Sequence, residues 1–195
     1  MQSVGETIRS LKPNVSREEA LRHFTSGVQG VAAGVIRGRA QSIAELYIPY
    51  RLFRVKITNR GREETRTFAL DSVEGTLDLF EFPELPGESE VVEIKSRNVL
   101  PCRLAAEEMQ EQLMGKVRRL VFSRGFLRLR DLQMEATAVA GELHLPYWIC
   151  FRGNAEAVRL EILDAVRRRS EGGKVRELVQ DWLKASSTEK DADVV

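Results

Sequence analysis

Two stretches of this chain are predominantly apolar, and they echo each other. The first is Glu45-Leu46-Tyr47-Ile48-Pro49-Tyr50-Arg51-Leu52-Phe53, and the second is Glu142-Leu143-His144-Leu145-Pro146-Tyr147-Trp148-Ile149-Cys150. Each reads as a long strand with a central proline followed by tyrosine. In the first, Leu46, Ile48, Tyr50 and Leu52 share one face. Tyr47, Pro49, Arg51, Phe53, Val55 and Ile57 share the other. Both faces are partly apolar, so the sheet is expected to be covered by a helix on one side and partly covered on the other. Proline has no N–H to give a ladder, so Pro49 marks an edge, a bulge or a bend. Each stretch is followed by a returning strand, ending in Phe68-Ala69-Leu70-Asp71-Ser72-Val73 and in Glu161-Ile162-Leu163-Asp164-Ala165-Val166.

Period-3.6 patterns supply the helices. Ser16-Arg17-Glu18-Glu19 is a capping box, with Glu19 placed to reach back to the cap. Leu21, Phe24, Val28, Val31 and Val35 follow as one stripe, predicting a helix to about Ile36. It contains Gly27, Gly30 and Gly34, each costing roughly 1 kcal/mol of helix propensity relative to alanine. A helix over 104–122 carries Ala106, Met109, Leu113, Val117 and Leu120 on one face, with acid at its front and base at its back, as the helix dipole favours. Ser123-Arg124-Gly125 ends it. Val175, Leu178, Val179, Trp182 and Leu183 predict a last helix over 174–185. Shorter strands are predicted at 62–71, 76–82, 91–94, 127–133 and 156–163. A second long strand is predicted within 135–151, irregular near Gly141. Asn59-Arg60-Gly61 and Gly153-Asn154 read as tight hairpin turns.

These elements predict an α+β fold. It is a tandem repeat of a helix plus a long-stranded antiparallel sheet, with either one continuous curved sheet carrying helices on one face or two units packed with pseudo-twofold symmetry. The expected boundaries are a flexible arm over 1–15, a first repeat over 16–97, a second over 98–185 with the C-terminal helix, and a disordered tail over 186–195. In element order alone the chain resembles cystatin-like folds and tandem PepSY domains. That resemblance is one of topology; no motif accompanies it, and it implies no activity and no functional residue.

Composition changes this picture little. With 195 residues and 43% apolar content, the chain can bury a core without disulfides or a metal. The formal net charge of +1 gives no global nucleic-acid signature. Two cysteines, Cys102 and Cys150, make neither a disulfide framework nor a metal cluster. The first residues lack a signal-peptide pattern and no run of 18 apolar residues occurs, so a cytoplasmic protein without a transmembrane segment is expected.

Chemistry-bearing motifs are absent: no Walker loop, dinucleotide fingerprint, nucleophile elbow or His-Glu-x-x-His occurs. Gly27-Val28-Gln29-Gly30 lacks the spacing and lysine of a phosphate loop. His23, His144, Cys102 and Cys150 match no local ligand spacing, and Cys150 lies too far along its strand from His144 for a nucleophile–base pair. Asp71 and Asp164 end equivalent strands as turn-capping residues. No cofactor, metal or catalytic residue is expected.

Three functional readings follow. The first is a non-enzymatic binding or scaffold protein, monomeric or homodimeric, that takes a protein or peptide partner on the face or groove of the duplicated Pro-Tyr strands. Tyr47, Tyr50, His144, Tyr147 and Trp148 would line that site. The second is a nucleic-acid or anionic-surface module using Arg118, Arg119, Arg124, Arg128, Arg130, Arg167, Arg168 and Arg169. Against it stands the ordinary role of such residues as the solvated back of an amphipathic helix. The third is an enzyme of unrecognised class.

Overall fold

A computed structural model describes residues 5–26, 40–82, 85–125, 131–154 and 157–192. The fold is mixed α+β, with nine strands and three α-helices among these residues. The strands are β1 (Glu6–Leu11), β2 (Ala40–Asn59), β3 (Arg62–Asp71), β4 (Leu77–Phe82), β5 (Val91–Ser96), β6 (Gln133–Ala138), β7 (Leu143–Asn154), β8 (Ala157–Asp164) and β9 (Arg169–Ser170). The helices are α1 (Arg17–Thr25), α2 (Ala106–Gly125) and α3 (Gly173–Ala192). The chain groups into two compact units that cut across its linear order. One combines Met1–Leu11 with Ile48–His144; the other combines Lys12–Tyr47 with Leu145–Val195.

In the first unit β2 pairs antiparallel with β3 from Tyr50↔Asp71 to Asn59↔Arg62. Arg60 (φ 52°) and Gly61 (φ 73°) form the turn between them, the double positive φ that suits the twist of a two-residue hairpin. On its other edge β2 pairs with β6, from Phe53↔Ala138 to Thr58↔Gln133. The core beneath is Phe53, Val55, Ile57, Phe68 and Leu70 from the hairpin, Ala136 from β6, and Met109, Leu113 and Val117 from α2. Those three α2 residues recur every four positions and are wholly buried, while Arg118 and Arg119 face solvent. A separate ribbon joins β1 to β5, with Ile8 directly opposite Ile94.

In the second unit β7 pairs with β8 from Tyr147↔Asp164 to Asn154↔Ala157. Its core joins Trp148, Cys150, Leu163 and Ala165 to Val15, Ala20 and Phe24. Helix α3 packs on β8 and buries Leu178 and Val179.

The helix that precedes β2 in sequence therefore covers β7–β8, and the helix that precedes β7 covers β2–β3. Each Pro-Tyr hairpin is roofed by the helix that does not directly lead into it.

Local chemistry explains several departures from expectation. Ser16 and Glu19 do form the capping box: Glu19 N–H donates to Ser16 Oγ at 3.2 Å and Ser16 N–H to Glu19 Oε2 at 2.8 Å. However, α1 ends at Thr25 rather than continuing to Ile36. Ser26 is already extended (φ −117°, ψ 162°), ahead of the poor helix former Gly27. Leu21 is exposed, and Ala20 with Phe24 forms the buried face instead. Val28, Val31 and Val35 lie outside the described residues. The expected N-terminal arm contains β1, held by its six-residue pairing with β5. The second long strand is two strands, because Gly141 (φ 84°) turns the chain between β6 and β7. Gly153 and Asn154, expected as the turn, are instead paired in the ladder with Val158 and Ala157; residues 155–156 lie outside the described residues. The tail expected to be disordered continues α3 to Ala192; extending a nucleated helix costs little per residue.

Candidate functional site

The two Pro-Tyr hairpins end in the same local construction. In the first unit Pro49 C=O accepts from Ser72 N–H at 2.8 Å. Asp71 then caps the turn: Oδ1 accepts from Val73 N–H (3.1 Å) and Glu74 N–H (2.6 Å), and Oδ2 from Thr76 N–H (2.7 Å). In the second, Pro146 C=O accepts from Ala165 N–H at 3.1 Å. Asp164 Oδ1 accepts from Val166 and Arg167 N–H, both at 2.8 Å, and Oδ2 lies 3.1 Å from Arg167 Nη1. Both aspartates are buried and accept turn N–H groups, Asp71 on both oxygens and Asp164 on Oδ1, so they cap structure.

The segment entering each roofing helix docks on these turns. Arg103 and Leu104 N–H donate to Ser72 C=O at 2.8 and 3.1 Å. Asn14 N–H donates to Ala165 C=O at 2.7 Å, and Arg168 Nη2 donates to Asn14 C=O at 2.5 Å.

The aromatic positions expected to line a binding face are interior. Tyr47, Tyr50, His144, Tyr147 and Trp148 are between 1% and 9% exposed. Tyr47 Oη donates to Glu45 Oε2 at 2.9 Å, and burial with that carboxylate pushes its ionisation well above the usual tyrosine range. Trp148 Nε1–H donates to Val15 C=O at 2.9 Å. His144 Nδ1–H donates to Arg9 C=O at 3.1 Å, and burial holds its pKa below the ordinary value. These five residues are buried side chains of β2 and β7, so in this structure they do not form an exposed aromatic patch.

The basic residues divide. Arg118 and Arg119 are exposed on α2, in the first unit. Arg167 is tied to Asp164, Arg168 to Asn14, and Arg169 to Glu171 at 3.2 Å, all in the second unit. Arg128 and Arg130 lie outside the described residues, and of Arg124 the backbone alone is described.

No group of three His, Cys, Asp or Glu side chains suited to a metal occurs among the described residues. His23 Nε2 lies 3.1 Å from Ser170 Oγ. Cys150 is buried, and desolvation raises its thiol pKa. The Cys102 thiol is pushed up to about 12, first by desolvation and then by its bond to Glu142 Oε2 at 3.0 Å. Neither cysteine has the thiolate character of a nucleophile.

The first unit also holds a concavity that sequence reasoning missed. Leu52, Leu85, Pro86, Val91, Val139 and Leu143 give it apolar walls, and Arg9 and Glu142 stand at its polar side. It encloses about 120 Å³, well below the ~300–1,000 Å³ of a small-molecule cleft. That is room for one apolar side chain. Glu142 is engaged by Arg51 Nη2 at 3.4 Å and by Cys102, and Arg9 is the cation that lines the recess among the described residues. Its signal in the sequence was faint. The Val139-Ala140-Gly141-Glu142 break places the floor, and Leu85-Pro86 comes from a loop more than 50 residues earlier in another part of the pattern.

No family model matches this chain, and neither a curated protein nor a solved structure does. The cystatin-like and PepSY-like order of elements therefore carries no activity to it. No helix among the described residues is long and apolar enough to cross a membrane.

Proposed function

We propose that this is a non-enzymatic binding protein, built as a tandem duplication, whose recognition site is the Arg9–Leu52–Leu143 concavity. The observation that carries the reading is the pairing of an apolar recess of one-side-chain size with a cation, Arg9, that forms no side-chain ion pair among the described residues. A peptide bearing a large aliphatic residue beside an aspartate or glutamate matches both features: the aliphatic group fills the recess and the carboxylate meets Arg9. The Pro-Tyr strands act as the scaffold that positions the recess, with Leu52 on β2 and Leu143 at the start of β7.

The buried capping aspartates, the protonated cysteines and the engaged Glu142 favour binding over catalysis. The anion-binding reading loses weight because Arg167, Arg168 and Arg169 are spent on local ties.

The test is selection from a displayed random-peptide library, followed by titration of the selected peptides. Acidic–aliphatic sequences should emerge. Ala140→Trp, which fills the exposed rim, should abolish binding, and Arg9→Glu should switch the preference to basic–aliphatic peptides. Equal binding by wild type and Ala140→Trp would remove the concavity as the site.

A further inference from the structure

We infer that the chain is a covalently joined pair of half-chains, 1–87 and 88–195, each of which is the folding partner of the other. The inference rests on where the helices pack, not on the peptide-binding reading, and failure of either leaves the other standing.

Three kinds of contact cross that division, and two of them run both ways. The first is helix on hairpin. Ala20 and Phe24 of the first half join Trp148, Cys150 and Leu163 of the second. Met109, Leu113 and Val117 of the second half join Phe53, Val55, Phe68 and Leu70 of the first. The second is the docking of each helix-entry segment on the opposite turn. Asn14 binds Ala165, while Arg103 and Leu104 bind Ser72. The third is the ribbon of β1 with β5.

That ribbon carries the point of symmetry. Ile8-Arg9-Ser10 and Ile94-Lys95-Ser96 are the same tripeptide with arginine and lysine exchanged, and Ile8 lies opposite Ile94. An antiparallel pair that matches a residue with its own counterpart is self-complementary, as in an isologous contact between two copies. Further along, Pro13 precedes Glu18-Glu19 in the first half, and Pro101 precedes Glu107-Glu108 in the second. The structural repeat therefore begins at β1 and at β5, with the seam between β4 and β5.

Each half-chain alone is left with one hairpin face uncovered and one helix undocked, although in the second half α3 remains on β8. For the first half the hairpin face includes Phe53, Val55, Phe68 and Leu70, each at 2% exposure or less in the whole chain. Exposing that surface removes core burial from a chain of half the length, where the margin of stability is already small. Folding of each half is thus linked to association with the other.

The test inserts a site-specific protease sequence between Gly87 and Glu88, within a segment where 87–90 are all exposed. After cleavage of the folded protein the halves should elute as one species of the intact size. Their melting temperature should fall on dilution, while that of the uncut chain does not. Each purified half should melt without a cooperative transition, and mixing should restore one. Leu113→Ala should weaken association of the cut pair by about 30-fold or more, as expected for a deep core truncation. Co-expression of 1–87 and 88–195 as two chains provides the same test without the insertion: they should co-purify. Separate elution of the cut halves, or cooperative monomeric melting of either half alone, overturns the inference.

Discussion

Trp148 on β7 donates its indole N–H to the backbone carbonyl of Val15, 133 residues earlier and one residue before the cap of α1. Both residues are buried in the second-unit core. The bond fixes the entry of α1 over a hairpin that lies far along the chain. Phenylalanine at 148 keeps most of the ring volume but leaves the Val15 carbonyl without its donor. Trp148→Phe should cost about 1–3 kcal/mol, the price of an unsatisfied buried acceptor plus a small packing loss. Urea denaturation should show a lowered midpoint with an unchanged slope.

The capping aspartates differ in one respect that a pair of variants can expose. Asp71 accepts three backbone N–H bonds. Asp164 accepts two and also neutralises Arg167, whose side chain is 9% exposed. Asn at either position turns an acceptor oxygen into a donor facing another donor. Asp71→Asn should cost about 1–3 kcal/mol. Asp164→Asn should cost more, about 3–5 kcal/mol, because it also removes the ion pair to a largely buried guanidinium. Equal losses in chemical denaturation would show that the Asp164–Arg167 pair contributes nothing beyond the turn.

Arg152 is the largest buried charged side chain, 2% exposed, with Nε 2.7 Å from Glu161 Oε2 and Nη2 bonded to Phe24 C=O. Removing one member of such a pair takes a charge partner from the other, which is itself largely buried. Arg152→Met should destabilise by about 3–5 kcal/mol, and Arg152→Met with Glu161→Leu should recover part of that loss. A double variant worse than the single one would contradict this account. The comparison is made on thermal and denaturant unfolding of the four proteins in the cycle.

His144 ties stability to pH. Burial lowers its pKa in the folded chain from the ordinary 6.5, and this outweighs the bond to Arg9 C=O and the charges of Glu142 and Glu6. The unfolded chain therefore binds a proton at higher pH than the folded one. Stability from neutral His144 is present above the unfolded pKa and is lost as pH falls through about 6.5 toward the depressed folded value. Wild type should lose stability from pH 7.5 to pH 5 more steeply than His144→Gln, which cannot take up the proton. Parallel pH profiles for the two proteins would rule out a contribution from His144.

What the sequence determined by itself was local. The capping box at Ser16, the β2–β3 turn at Arg60-Gly61, and the Met109–Leu113–Val117 stripe follow from contacts between near neighbours. Such contacts depend on spacing along the chain. The tertiary structure decided the rest. An apolar stripe specifies that it must be covered, not by which element, so nothing in the Phe24 or Leu113 pattern says that each helix roofs the more distant hairpin. Alternation along β2 and β7 separates two faces but does not tell whether both are covered; that is why Tyr50, Tyr147 and Trp148 read as surface candidates and are core. The recess beside Arg9 gathers residues from β1, β2, β5, β7 and two loops, a convergence set by packing over long sequence separations.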